Sequence, residues 1–135
     1  MSAVPQQEVI QGSAGAVAGG GEEGGADPVT GGAYRDVPSN GGENHHMPAN
    51  SVSPYSKGSG PVINMSAEDH RQTASWGPGF AARSYRAQQQ TLINNGDFLR
   101  AQQMDINDVQ SKFGNKYANS IAQMMNYTQR LLNRG

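Results

Sequence analysis

The last third of the chain carries a clear helical repeat of apolar and polar positions. Tyr117, Ile121, Met124, Thr128 and Leu131 recur at i, i+4, i+7, i+11 and i+14, which predicts a helix with a single buried stripe. One segment upstream, "FLRAQQMDINDVQSKFG" places Ile106, Val109 and Phe113 at i, i+3 and i+7, with Asp97 before it as the expected N-cap. "FAARSYRAQQQTLINNG" is rich in helix formers and ends in Asn-Asn-Gly, a C-terminal stop. Met104, Met124, Met125, Phe98, Phe113 and Tyr117 fall at helical spacings and are expected to pack the core. The glutamines at 88–90 and 102–103 read as solvated helix surface. Trp76 reads as a packing anchor beside a Gly-Pro-Gly break.

The period shortens before residue 66. Residues 34–37 and the chain through His45 and His46 read as extended, separated by a Pro-Ser-Asn-Gly-Gly turn cluster. "PVINM" (61–65) is a strand candidate with β-branched residues. Ser66 then caps a short helix expected over 67–75, with Asp69 at the N3 position of a capping box and Gly77-Pro78-Gly79 as its stop. The whole reads as an α+β fold, a strand–strand–short-helix unit followed by about three packed helices.

Composition sets the boundaries. Residues 1–33 are dominated by Gly and Ala with few large apolar side chains, so they are expected to form a disordered linker; residues 34–135 form the folding unit. No cysteine is present, which excludes disulfides and thiolate metal sites. No apolar run approaches a membrane span, and the N-terminus lacks the parts of a signal peptide, so export would need another route. Residues 1–60 hold six acids against Arg35 and Lys57, a charge of −4; residues 61–135 hold five acids against eight Lys and Arg, a charge of +3. That asymmetry permits a nucleic-acid partner without demanding one.

The candidate chemistry lies in the three histidines, His45, His46 and His70. A lone histidine is usually surface or satisfied core. An imidazole near its reference pKa is also the side chain best suited to take a proton from water. Hydrolysis of a phosphodiester further needs stabilisation of the leaving oxygen, which a divalent cation supplies. Adjacent strand residues point to opposite sides, so His45 can serve a metal and His46 a water only if the chain is irregular there. The turn-rich flanks and Pro48 predict such irregularity.

"ENHHMPA" followed by "GPVINMSAEDHRQT" resembles the HNH/endonuclease VII superfamily, the His-Me finger or ββα-metal nucleases. It is especially similar to the C-terminal nuclease domains of bacterial polymorphic, Rhs-type toxins, and the helical tail to about residue 130 is similar as well. The resemblance implies His45 and His70 as metal ligands, His46 as general base, and Asn64 as the middle Asn that braces the loop and helps hold the base. Where many members carry another His four residues after the helix His, this chain has Ala74. Thr73 and Ser75 are weak substitutes, and Asp69 or Glu43 would act through the outer shell. Water in the open positions favours Mg²⁺, with Zn²⁺, Mn²⁺ or Ni²⁺ as alternatives. Lys57, Arg71, Arg83 and Arg86 are the candidate phosphate contacts.

What the resemblance implies is a metal-dependent endonuclease, with DNA favoured over RNA. It would be the toxin domain of a secreted effector delivered into a target cell's cytoplasm, with a cognate immunity protein as partner. The alternatives are a non-catalytic interaction module whose histidines hold a structural metal, and a metal-dependent hydrolase of some other substrate.

Overall fold

The computed structural model describes residues 27–134, so the first 26 residues of the linker expected over 1–33 lie outside the described residues. Three short strands, β1 (Gly31–Ala33), β2 (Glu43–His46) and β3 (Pro61–Met65), form an antiparallel sheet in the order β1-β3-β2. Helix α1 (Ala67–His70) follows β3 directly; α2 (Phe80–Asn94), α3 (Phe98–Phe113) and α4 (Ala118–Asn133) follow in turn. The α+β class and the helical tail are thus as the sequence pattern indicates.

β3 is the central strand, pairing Gly31 with Ile63 on one side and His45 with Ile63 on the other. Alternation along a strand gives the sheet two unlike faces. Ile63 and Met65 point to the covered face and join Met47, Ile106, Val109, Tyr117, Ile121 and Met124 in the main apolar core under α3 and α4. Asn44, His46, Val62 and Asn64 belong to the opposite face. The predicted stripe of α4 is buried in full: Tyr117, Ile121, Met124, Thr128 and Leu131 all lie inside.

The ordered fold begins earlier than residue 34. Gly31–Ala33 is a strand, whereas 34–36 form a 3-10 turn in place of the expected extended piece. The strand has almost no side chain of its own, which is why composition assigns it to the linker; its partners supply the order instead. The side-chain oxygen of Gln123 accepts from the amides of Thr30 and Gly31 at 2.8 and 2.9 Å, and Ser120 Oγ donates to Thr30 Oγ1 at 2.7 Å. Gly31 is pressed so closely on α4 that an added Cβ would sit inside contact distance of the Ser120 carbonyl. Backbone there cannot give way, so Gly31→Ala is expected to cost about 3 kcal/mol or more in urea unfolding. An unchanged midpoint would mean α4 is not seated on β1.

Four further expectations are corrected. Helix α1 stops at His70 rather than 75, because Thr73 turns back and bonds the His70 carbonyl through both its amide and its hydroxyl. Asp97 precedes α3 but makes no capping bond; its carboxylate pairs with Arg100 at 3.3 Å. Trp76 is 44 % exposed, not the buried packing anchor expected. Gln89 and Gln102 are fully buried. Gln89 donates to the Ala101 carbonyl and to Asp105, tying α2 to α3. Gln102 donates to the Met47 carbonyl and to Thr128, tying α3 to the end of β2 and to α4. Their amides are satisfied inside, which is what makes such burial tolerable. Tyr85 donates to Asp105 at 2.7 Å, and burial pushes the Asp105 carboxyl up to about 7.

Candidate functional site

β2 carries two different environments on successive residues. On the covered face, Glu43 and His45 stand one above the other, and α1 brings His70 against them. The His45 and His70 rings are 4.9 Å apart, tilted by 54°. His70 Nδ1 donates to Glu43 Oε1 at 2.7 Å, and Arg71 donates to the other carboxylate oxygen at 3.0 Å. The His70 bond, seconded by Arg71, holds the Glu43 carboxyl below its usual range. Glu43 therefore fixes the His70 tautomer and leaves Nε2 as the ring's remaining polar atom.

His45 itself is enclosed. Its Nε2 is the one buried side-chain nitrogen or oxygen among the described residues that lacks a hydrogen-bond partner. Burial, then the neighbouring His70, pushes its pKa down to about 3, so the ring is neutral at pH 7. A buried polar atom left open is costly and calls for a partner. No group of three His, Asp or Glu side chains with metal-binding geometry is present among the described residues. What the pair offers a metal is one unclaimed nitrogen on the neutral His45 ring and, on His70, the carboxylate partner that commonly orients a ligating histidine.

His46 faces the other way. The strand is regular through it, paired with Val62, so the irregular chain expected here is not found. Its ring stacks on Tyr34 at 4.9 Å and 15°, and Nε2 lies 2.9 Å from the Lys57 carbonyl. A carbonyl only accepts, so Nε2 carries the proton and Nδ1 keeps a lone pair. Burial lowers the His46 pKa, partly offset by the Lys57 carbonyl. The ring is closely fitted: a Cβ on Gly60 would lie 2.8 Å from its Cδ2. The Lys57 ammonium stands 5.2 Å from the Tyr34 ring centroid.

Of the residues singled out in the sequence, the structure brings together His45, His70 and Arg71 on the covered side, and His46 and Lys57 on the other. Asn64 makes no hydrogen bond to either group. It donates to the Ser39 carbonyl at 3.0 Å and to Asn44 at 2.9 Å, and Asn44 donates to the Val37 carbonyl, so the pair braces the turn leading into β2. Arg83 and Arg86 bond carbonyls of the turn after α1, those of Pro78 and of Ser75 and Gly77 respectively. Asp69 is engaged by Lys116 and Tyr117, both at 2.7 Å, and is structural. Tyr34 was not legible as a site residue, because nothing in "GGAYRD" signals that the chain returns to stack on His46.

Compared with protein-family models, with curated proteins and with solved structures, the chain matches none. The chemistry of these side chains is what bears on function.

Proposed function

We propose that the chain is a metal-dependent endonuclease of the His-Me finger type, cutting DNA as the toxin domain of a delivered effector and blocked in its producer by an immunity protein. The observation that carries the reading is His46: a neutral imidazole whose Nε2 proton is held by a backbone carbonyl, leaving Nδ1 free to accept. It sits one residue from a buried imidazole with an open nitrogen. His46 Nδ1 takes a proton from water as the water oxygen bonds to phosphorus. The Lys57 carbonyl, already bonded to Nε2, stabilises the imidazolium that results. The phosphorus–oxygen bond to the leaving group breaks, and that oxygen is protonated from solvent. Lys57, over the Tyr34 ring, and Arg71, paired with Glu43, are the proposed phosphate contacts on the two faces.

His45 and His70 would hold the metal, with Glu43 orienting His70. Bound there, a divalent cation supplies Lewis-acid stabilisation of the charge that develops on the phosphate and leaving oxygen. Two imidazole nitrogens shift the preference from Mg²⁺ and Mn²⁺ toward Zn²⁺ or Ni²⁺. The regular strand puts His46 across from the other two rings, so metal and base act on one phosphate only if the end of β2 rearranges when the metal binds.

The enclosure of His45 also favours a second reading, a structural metal in a binding module. Supercoiled plasmid incubated with the protein and each of these cations, with and without EDTA, separates the two. Metal-dependent nicking is expected. If neither plasmid nor RNA is cut with any cation while EDTA melts the fold, the structural reading replaces the nuclease.

A further inference from the structure

The turn that follows α1 holds two large aromatic rings out in water. Trp76 is 44 % exposed and Phe80 is 77 % exposed, on either side of Gly77-Pro78-Gly79. Such exposure in an irregular segment usually goes with looseness, yet this one is braced from two helices. Arg86 donates to the Ser75 and Gly77 carbonyls and Arg83 to that of Pro78, from α2. From α3, Asp108 accepts the Ala74 amide at 2.8 Å, and Lys112 donates to the Gln72 carbonyl at 2.8 Å. Four charged side chains thus fix a stretch in which Phe80 buries little and Trp76 keeps nearly half its surface in water. Gly77, at φ +96°, makes the bend, and the space beside Gly77 and Gly79 is open.

Charge narrows the kind of molecule that would cover these rings. From His70 to Gly96 the chain contains Arg71, Arg83 and Arg86 and no Asp or Glu. Across space, Arg71 is paired with Glu43 and Lys112 with Asp108, so the turn's positive charge comes from Arg83 and Arg86, which bond only neutral carbonyls there. The turn is also tied to the candidate site: Thr73 bonds the His70 carbonyl, and the Trp76 amide bonds the Thr73 carbonyl at 3.2 Å. Exposed aromatic faces, held rigid beside arginines, are what unpaired nucleobases stack on while their phosphates meet the cations. Rigidity matters because a platform already in place loses little freedom on binding.

We infer that Trp76 and Phe80 form a stacking platform that receives unpaired bases of a polynucleotide substrate and leads its backbone toward His70. This rests on the nuclease reading for the class of ligand, and the two are tested separately. Trp76 is the chain's sole tryptophan, so its fluorescence reports on the platform directly. His46→Ala protein in EDTA, titrated with a short oligodeoxythymidylate, is expected to show saturable quenching that weakens with salt. Phe80→Ala should weaken that binding about tenfold, and Trp76→Leu should do the same by anisotropy of a labelled oligonucleotide. Thermal melting should be unchanged for Phe80→Ala, since the ring buries little.

Plasmid nicking by the same substitutions in the otherwise native chain is measured in parallel. If the native chain nicks and both variants bind and cut as it does, the platform is overturned and the nuclease stands; the rings then belong to a protein contact. Quenching and its loss in Phe80→Ala without any cutting would support the platform as a binding site and count against the nuclease. Neither quenching nor cutting would overturn both.

Discussion

His46→Ala is expected to lose metal-dependent plasmid nicking by about 10²–10⁴-fold, the usual worth of a positioned general base, while retaining its melting temperature to within a few degrees. The ring has one polar bond to the protein, to the Lys57 carbonyl, and one stacking contact, with Tyr34. Losing these leaves the main core intact, since Met47, Ile63 and Met65 pack on the other face. A variant that cuts like the native chain would remove His46 from the base role. His46→Gln serves as a second check, because its amide can still reach the Lys57 carbonyl but cannot take up a proton from water near neutral pH. If His46→Gln restores cleavage, the ring's part is positioning.

The second large effect concerns stability in metal-free buffer. His45 is held neutral, its folded pKa pushed from 6.5 down to about 3 by burial and the neighbouring His70. Its contribution is full above 6.5 and is lost as pH falls toward 3. Asp105 is raised from 3.8 to about 7 by burial, against hydrogen bonds from Tyr85 and Gln89. Its contribution is full below 3.8 and is lost as pH rises toward 7. Between these unfolded values, unfolding takes a proton onto His45 and releases one from Asp105. The two slopes, each about 1.4 kcal/mol per pH unit, cancel.

Urea unfolding of His46→Ala protein, chosen because His46 is lowered in the same sense as His45, is therefore expected to be nearly flat from pH 6.5 to 4.5. Adding Asp105→Asn should unmask a loss of about 2–3 kcal/mol on acidification across that range. Adding His45→Leu should unmask a loss of similar size on raising the pH. The same slope in all three proteins would mean that neither group is buried as described.

Pattern alone reached the elements whose burial is periodic. The α4 stripe, the β3 strand and the Ser66 cap, whose hydroxyl accepts the Asp69 amide at 3.1 Å, were legible because each depends on near neighbours in the chain. The same locality explains the misreadings. Gln89 and Gln102 look like surface until Asp105, Met47 and Thr128 arrive from other elements to satisfy their amides. Gly31–Ala33 looks like linker because its order is lent by Gln123, more than ninety positions away.

For the candidate site the division falls within a single dipeptide. That His45, His46 and His70 are the titratable rings available for chemistry at neutral pH follows from composition and reference pKa values. Which ring is sealed and which is left able to accept a proton follows from the sheet. A regular strand sends neighbours to opposite faces, and only packing makes one face the helix-covered core and the other the side where Tyr34 and Lys57 meet His46. Desolvation, the largest cause of both histidine shifts, depends on atoms brought from distant parts of the chain, so tertiary structure alone sets it.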